Sequence, residues 1–125
     1  MNKYVGIPFQ YQGTGSPGYD CWTFVKMFYS RELGIELLGV DDYSRNWAGE
    51  GKNYMLENYH KQWDQVPCPM PNDLLLFNNS AGVTCHCGIY LGENKFIHCA
   101  KIAGVIISRI GEWKQPLQGV YRFKT

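Results

Sequence analysis

The 125-residue chain has almost no net charge and no long apolar run. Its 12 basic and 11 acidic side chains give a formal net charge of +1. Nucleic-acid-binding domains usually carry a clear basic excess, so this balance argues against a nucleic-acid partner. A membrane-spanning helix needs about 20 mainly apolar residues in succession, and the sequence contains no such run. We therefore expect neither nucleic-acid binding nor membrane insertion.

Cysteines are few, and their number is odd. The spacing of Cys21, Cys68, Cys85, Cys87 and Cys99 resembles no disulfide framework of small secreted domains. Synthesis in a reducing compartment fits this usage better. Residues 1–8 lack the apolar segment of a signal peptide, so we expect a protein made without one.

The composition predicts one domain that spans residues 1–125. Its length is that of a single domain, and 45% hydrophobic residues suffice for one core. Asp20 has the side chain of a helix N-cap, and the apolar spacing from Cys21 to Leu33 predicts a helix. Gly34 provides its C-terminal stop.

The second half of the chain is typical of strands. A weak helical pattern over Asn53–Trp63 precedes it. Short apolar runs bounded by turn residues predict strands in an antiparallel sheet. Helices first and strands afterwards indicate an α+β fold. The predicted strands are Asp73–Phe77, Cys87–Leu91, Lys95–Ala100, Gly104–Ile110 and Gln118–Phe123.

Cys21 has the position that a cysteine nucleophile requires. In the first turn of a helix, unpaired N–H groups and the aligned peptide dipoles stabilise a thiolate. The backbone N–H of Cys21 can also donate to an oxyanion. Position alone leaves open that Cys21 is a small buried apolar residue.

Two histidines of the predicted hairpin are candidates for the base and its partner. His86 and His98 are twelve positions apart, and they share a face only if the hairpin loop has an odd length. A three-residue loop over residues 92–94, with Leu91 opposite Lys95, satisfies this condition. It would place His98 opposite Gly88. A two-residue Glu93-Asn94 turn would put the histidines on opposite faces.

A metal site is the alternative for the segment Cys85-His86-Cys87. Zinc takes four tetrahedral N or S ligands, but alternate strand residues face opposite ways, so these three side chains cannot meet at one ion. Cys85, Cys87 and Cys99 can converge, without an evident fourth ligand. We favour small buried cysteines between sheet and helix, expect no metal or cofactor, and interpret His60 as a surface residue.

Several blocks of the sequence resemble the NlpC-type cell-wall cysteine peptidases. The resemblance extends over almost the whole chain, in the family's order and spacing. Its blocks are Gly6–Phe9, Gly13, Gly18–Cys21, Pro71–Phe77, His86–Gly92 and Lys95–Cys99.

The resemblance implies a papain-like α+β fold, with the nucleophile at the start of a helix on an antiparallel sheet. It implies Cys21 as nucleophile, His86 as general base and His98 as the residue that orients His86. It further implies hydrolysis of a peptidoglycan stem peptide near D-Glu and diaminopimelate. In that reaction Asp20 would help to bind the substrate's free amine.

The sequence departs from the family pattern around the nucleophile. Trp22 stands where Ser is usual, and Thr23 where Gly is usual. Phe9 replaces a common Tyr, so Tyr11 or Tyr4 would have to supply its hydroxyl. We place Phe9, Tyr11 and Trp22 with Asp20 among the substrate-binding residues.

The Asp20-Cys21-Trp22 variant, followed by Glu32–Leu37, resembles the subset of the family carried by tailed bacteriophages. That likeness implies a tail-associated hydrolase with tail-tip proteins as partners. It would be made in the bacterial cytoplasm, carried in the virion and active at the cell wall.

Two other functions stay open. A tail component with the same fold could have lost catalysis, because Trp22 could cover the thiol. A lipid acyltransferase is a third hypothesis. The order of cysteine before histidine argues against it, since the circularly permuted relatives with that activity have the histidine first.

Overall fold

A single α-helix packs against a six-stranded antiparallel sheet in the described part of the chain, which confirms the predicted α+β class. The computed structural model describes residues 2–11, 13, 18–37 and 62–124. Short 3-10 turns lie at Asn2–Tyr4 and Ile110–Glu112. The helix is α1 (Cys21–Phe28), and the strands are β1 (Trp63–Val66), β2 (Leu74–Asn78), β3 (Thr84–Gly92), β4 (Lys95–Ala100), β5 (Gly104–Arg109) and β6 (Leu117–Phe123).

The helical segment begins at Cys21 and stops at Gly34, as the sequence predicts, but α1 itself ends at Phe28. The Asp20 carboxylate accepts the backbone N–H of Thr23, and the Thr23 hydroxyl accepts the N–H of Asp20, which completes a capping box. After Phe28 the helix widens into a π-helical turn, Tyr29–Leu33, and Gly34 ends it at φ 66°. No helix in the described residues is both long and apolar enough to cross a membrane.

The strands lie in the order β1-β6-β2-β3-β4-β5, and every neighbouring pair is antiparallel. The five predicted strands are present, with ends shifted by a few residues. Strand β1 was not predicted. Trp63 belongs to it, not to a helix, and the rest of the predicted helix (53–61), like His60, lies outside the described residues.

The sheet buries both of its faces. One face packs against α1 in the larger core, which includes Phe24, Phe28, Cys87 and Ile97. The other face holds a smaller cluster of buried side chains, Leu75, Phe77, Tyr90, Phe96 and Val120. Successive residues of β3 therefore point into different clusters.

The β3–β4 hairpin differs from the predicted one, although His86 and His98 share a face as predicted. The turn has two residues, Glu93 and Asn94, both at positive φ, and it pairs Gly92 with Lys95. Leu91 is an extra residue between the Tyr90–Phe96 and Gly92–Lys95 pairs. This bulge restores the register that a two-residue turn alone would have reversed. The predicted Leu91–Lys95 pair was therefore wrong.

Candidate active site

Cys21 is the first residue of α1, and it lies beside the start of β3. Its side chain is 8% exposed and belongs to the core between the helix and the sheet. Burial raises the pKa of the Cys87 thiol well above its ordinary value, and a hydrogen bond with Cys21 raises it further. The pKa of Cys85 is also raised, first by burial and then by Cys21. Cys21 is thus placed next to the Cys85–Cys87 stretch, which carries His86.

The two candidate histidines meet as the parity argument expected. His86 Nε2 lies 2.6 Å from His98 Nδ1. The far nitrogen of His98, Nε2, lies 2.8 Å from the Ser108 hydroxyl. Gly88 makes the close approach possible, because a Cβ there would lie 2.7 Å from the Phe96 ring and 3.1 Å from the His98 Cβ.

Burial keeps both imidazoles neutral at ordinary pH. It lowers the pKa of His86 well below its usual value, and the neighbouring His98 and Lys114 lower it further. Burial alone lowers the pKa of His98 to about 3. A neutral imidazole is the form that can accept a proton from a thiol.

Trp113 covers the histidine pair on the face away from α1. Its ring stacks on His86 at 5.4 Å and meets the His98 ring edge-on at 4.5 Å. The indole N–H donates to Gln115, whose amide donates to the Cys85 sulfur. This aromatic cover excludes water and accounts for part of the desolvation.

The Cys21 thiol and the histidine pair lie on opposite faces of the sheet at β3. Cys87 points toward α1 and Cys21, whereas His86 points toward Phe77 and Trp113. Among the described residues, no hydrogen bond joins the Cys21 thiol to either histidine. Catalytic hydrogen bonds are often long in a free enzyme and shorten only with substrate.

Three of the four predicted substrate-binding residues lie at or beside the start of α1. Phe9 pairs with Tyr19 in a parallel bridge directly before the helix. Asp20 is 3% exposed, and its carboxylate accepts from Thr23. Trp22 is 6% exposed in the core, and its indole N–H has no partner among the described residues. Tyr11 is half-buried in the turn that follows Phe9.

Tyr4 lies away from the start of α1, and the cysteines of β3 and β4 differ in burial. The Tyr4 hydroxyl donates to Glu32 at 2.5 Å, at the opposite end of the helical segment from Cys21, so it does not replace the hydroxyl missing at Phe9. Cys87 and Cys99 are small buried residues of the core, but Cys85 is only partly buried.

Ser108 and Trp113 belong to the site but were not predicted from the sequence. The β4–β5 register pairs Phe96 with Ser108 and His98 with Ile106. The parity argument used for His86, applied to this second hairpin, could have placed Ser108 on the face of His98. Trp113 follows a short 3-10 turn, and no periodic pattern marks its position.

No group of three or more His, Cys, Asp or Glu side chains in the described residues has the geometry to hold a metal ion.

Comparison with known protein families assigns the chain to one of them. Residues 6–122 match the NlpC/P60 family. The chain belongs to the NlpC/P60 family. The resemblance stated from the sequence motifs is thereby confirmed at the level of the family. The bacteriophage subset stays a prediction.

Two curated relatives are about one-third identical to the chain. One is the gamma-DL-glutamyl hydrolase of Bacillus subtilis (strain 168), 32% identical over 97% of this chain and 27% of that protein. The other is the murein DD-endopeptidase MepS/murein LD-carboxypeptidase of Escherichia coli (strain K12), 33% identical over 92% of this chain and 56% of that protein. The chain spans only part of the length of both relatives.

The fold is also that of solved members of the family. The structure of NlpC1 from Trichomonas vaginalis matches with a TM-score of 0.72 at 18% identity, over 99% of this chain and 42% of that one. The predicted NlpC-type, papain-like fold is therefore confirmed.

Proposed function

We propose that the chain is a cysteine endopeptidase that hydrolyses an amide bond in the stem peptide of peptidoglycan. The observation that carries this proposal is the position of Cys21 at the start of α1, beside the β3 stretch whose His86 is held by His98. The activities for which the two relatives are named, on gamma-DL-glutamyl bonds and on murein, support this class of substrate. We take residues 1–125 as one catalytic domain.

The proposed reaction uses the thiol and the imidazole in turn. His86 Nδ1 accepts the thiol proton as Cys21 Sγ attacks the amide carbonyl carbon. The same proton then passes to the leaving amine as the C–N bond breaks and a thioester forms. Water, deprotonated by His86, hydrolyses the thioester and restores the thiol. His98 accepts the Nε2–H of His86 and holds its ring.

The first turn of α1 provides the oxyanion donor in this proposal. The first N–H groups of a helix have no partners within the helix. The N–H of Thr23 is taken by Asp20, whereas that of Cys21 faces the attacked carbonyl in the proposed complex. Asp20 would bind the free amine of the stem peptide, with Phe9, Tyr11 and Trp22 as further substrate-binding residues.

The finer proposal concerns the bond that is cut and the place of action. We propose the bond between D-Glu and diaminopimelate, and a tail-associated enzyme carried in a bacteriophage virion with tail-tip partners. The Asp20-Cys21-Trp22 variant and the Glu32–Leu37 segment support the virion. Mass spectrometry of purified virions that encode the chain should find it there, and its absence would refute the location.

A catalytically impaired structural component is the second candidate. It is favoured by the 8% exposure of Cys21 and by the lack, among the described residues, of a hydrogen bond between its thiol and His86. In that case the Cys21 thiol would not transfer its proton to His86.

The experiment that separates the two candidates is mass spectrometry of digests of purified sacculi. Wild-type protein should release fragments cut at one stem-peptide bond, and their masses identify that bond. Cys21→Ala should release none while keeping the wild-type circular dichroism spectrum. Equal product from both proteins would exclude Cys21 as nucleophile, and no product from either would favour the structural component.

A further inference from the structure

His98 is held at both of its ring nitrogens. Nδ1 lies 2.6 Å from His86 Nε2, and Nε2 lies 2.8 Å from Ser108 Oγ. The ring is fully buried. Because a neutral imidazole carries a single N–H, the partner at one nitrogen decides whether the other donates or accepts.

Two arrangements of protons satisfy this chain of contacts. In the first, His98 donates from Nε2 to Ser108 and accepts at Nδ1 from His86 Nε2–H. His86 then keeps a lone pair on Nδ1. In the second, Ser108 donates to His98 Nε2, and His98 donates from Nδ1 to His86. His86 then carries its proton on Nδ1, where it cannot accept another from a thiol.

The fold holds the Ser108 hydroxyl in place beside His98. Ser108 lies on β5 directly opposite Phe96, so it shares a face with His98, which is opposite Ile106. The Phe96 and Trp113 rings lie 4.3 Å and 4.5 Å from the His98 ring, between their centroids. These two rings confine the imidazole, so it keeps Ser108 as its partner.

We propose that Ser108 is a positioning residue whose hydroxyl oxygen accepts the Nε2–H of His98 and thereby leaves Nδ1 of His86 free to act as the base. The catalytic part of this inference rests on the proposed function. The part that concerns the protonation of the two rings does not depend on any activity.

The test compares Ser108→Ala with Ser108→Thr. Threonine keeps the hydroxyl, suits a strand, and its methyl group has room because Ser108 lines an open cavity of about 310 Å³. The matched control is Ser30→Ala, since the Ser30 hydroxyl contacts Glu36 away from the site. Nitrogen-15 NMR of the imidazoles reports which nitrogen of each ring carries the proton.

In wild type and Ser108→Thr we expect both histidines to carry their protons on Nε2. In Ser108→Ala we expect the proton of His98 to be shared between Nε2 and Nδ1. We also expect kcat on stem peptide to fall about tenfold, which corresponds to about 1.4 kcal/mol. The KM should change by less than about twofold, because the group acts on the chemical step. Ser30→Ala should match wild type in both measurements.

Three results would overturn the proposal. They are a proton on Nδ1 of His98 in the wild type, spectra of Ser108→Ala that match the wild type, and equal loss of kcat in the alanine and threonine variants. If the wild type cleaves no stem peptide, the proposed function fails, but the spectra still decide the role of Ser108.

Discussion

At the scale of single residues, the buried contact between His86 and His98 controls the proposed proton transfer. Two rings in hydrogen-bond contact, both with lowered pKa values, form a neutral pair. Such a base is weak until negative charge develops nearby. A thiolate on Cys21 would raise the pKa of His86 again, because an opposite charge favours the protonated ring.

Replacement of His98 tests this pairing. His98→Ala leaves the Nε2–H of His86 buried without a partner, so we expect kcat to fall about 100-fold. His98→Gln offers an amide oxygen in its place and should retain much more activity. The measurement is kcat and KM on a stem peptide. Wild-type kcat in His98→Ala would contradict the role of His98.

At the scale of elements, α1 depends on a carboxylate that the proposed function also uses. Asp20 caps the helix through Thr23, and we propose that it binds the substrate amine. A serine at an N-cap preserves most of the capping energy, whereas alanine does not.

Asp20→Ala should therefore lower the free energy of unfolding by about 1 kcal/mol, measured by urea denaturation. Asp20→Ser should unfold near the wild-type midpoint but show a higher KM, since it lacks the charge. If Asp20→Ser keeps the wild-type KM, Asp20 is only a helix cap.

The elements also show how far the sequence could predict the structure. Helix α1 was predictable because its signals, Asp20 and Gly34, act locally. The shared face of His86 and His98 was predictable from the alternation of side chains along the strands. The bulge at Leu91 was not, because a three-residue loop and a two-residue turn with one bulge both put the two histidines on the same face. Within the described residues, strand β1 pairs only with β6, far away in sequence, and its short sequence WDQV carries no strong strand pattern.

At the scale of the whole molecule, the buried histidines link stability to pH. Both have lowered pKa values in the folded protein, whereas an unfolded histidine has a pKa of about 6.5. Between those values the unfolded chain binds more protons, so stability decreases as the pH falls. For His98 the interval extends from about pH 6.5 down to its folded pKa of about 3.

We expect the free energy of unfolding to decrease between about pH 7 and pH 5, where carboxylates hardly titrate, by up to about 1.4 kcal/mol per pH unit for each histidine. Urea denaturation at several pH values measures this slope. His98→Gln removes one titrating group from both states, so its slope should be shallower. An equal slope in both proteins would show that His98 is not buried in its neutral form.

The central claim, that Cys21 is the nucleophile, is tested most directly by matching alkylation to loss of activity. The exposed Cys68 serves as the internal control. Protein treated with iodoacetamide for increasing times is assayed on stem peptide, and each cysteine is quantified by peptide mass spectrometry. We predict that activity is lost in proportion to the modified fraction of Cys21, that stem peptide slows this reaction, and that modification of Cys68 has no effect. Full activity after complete modification of Cys21 would contradict the account.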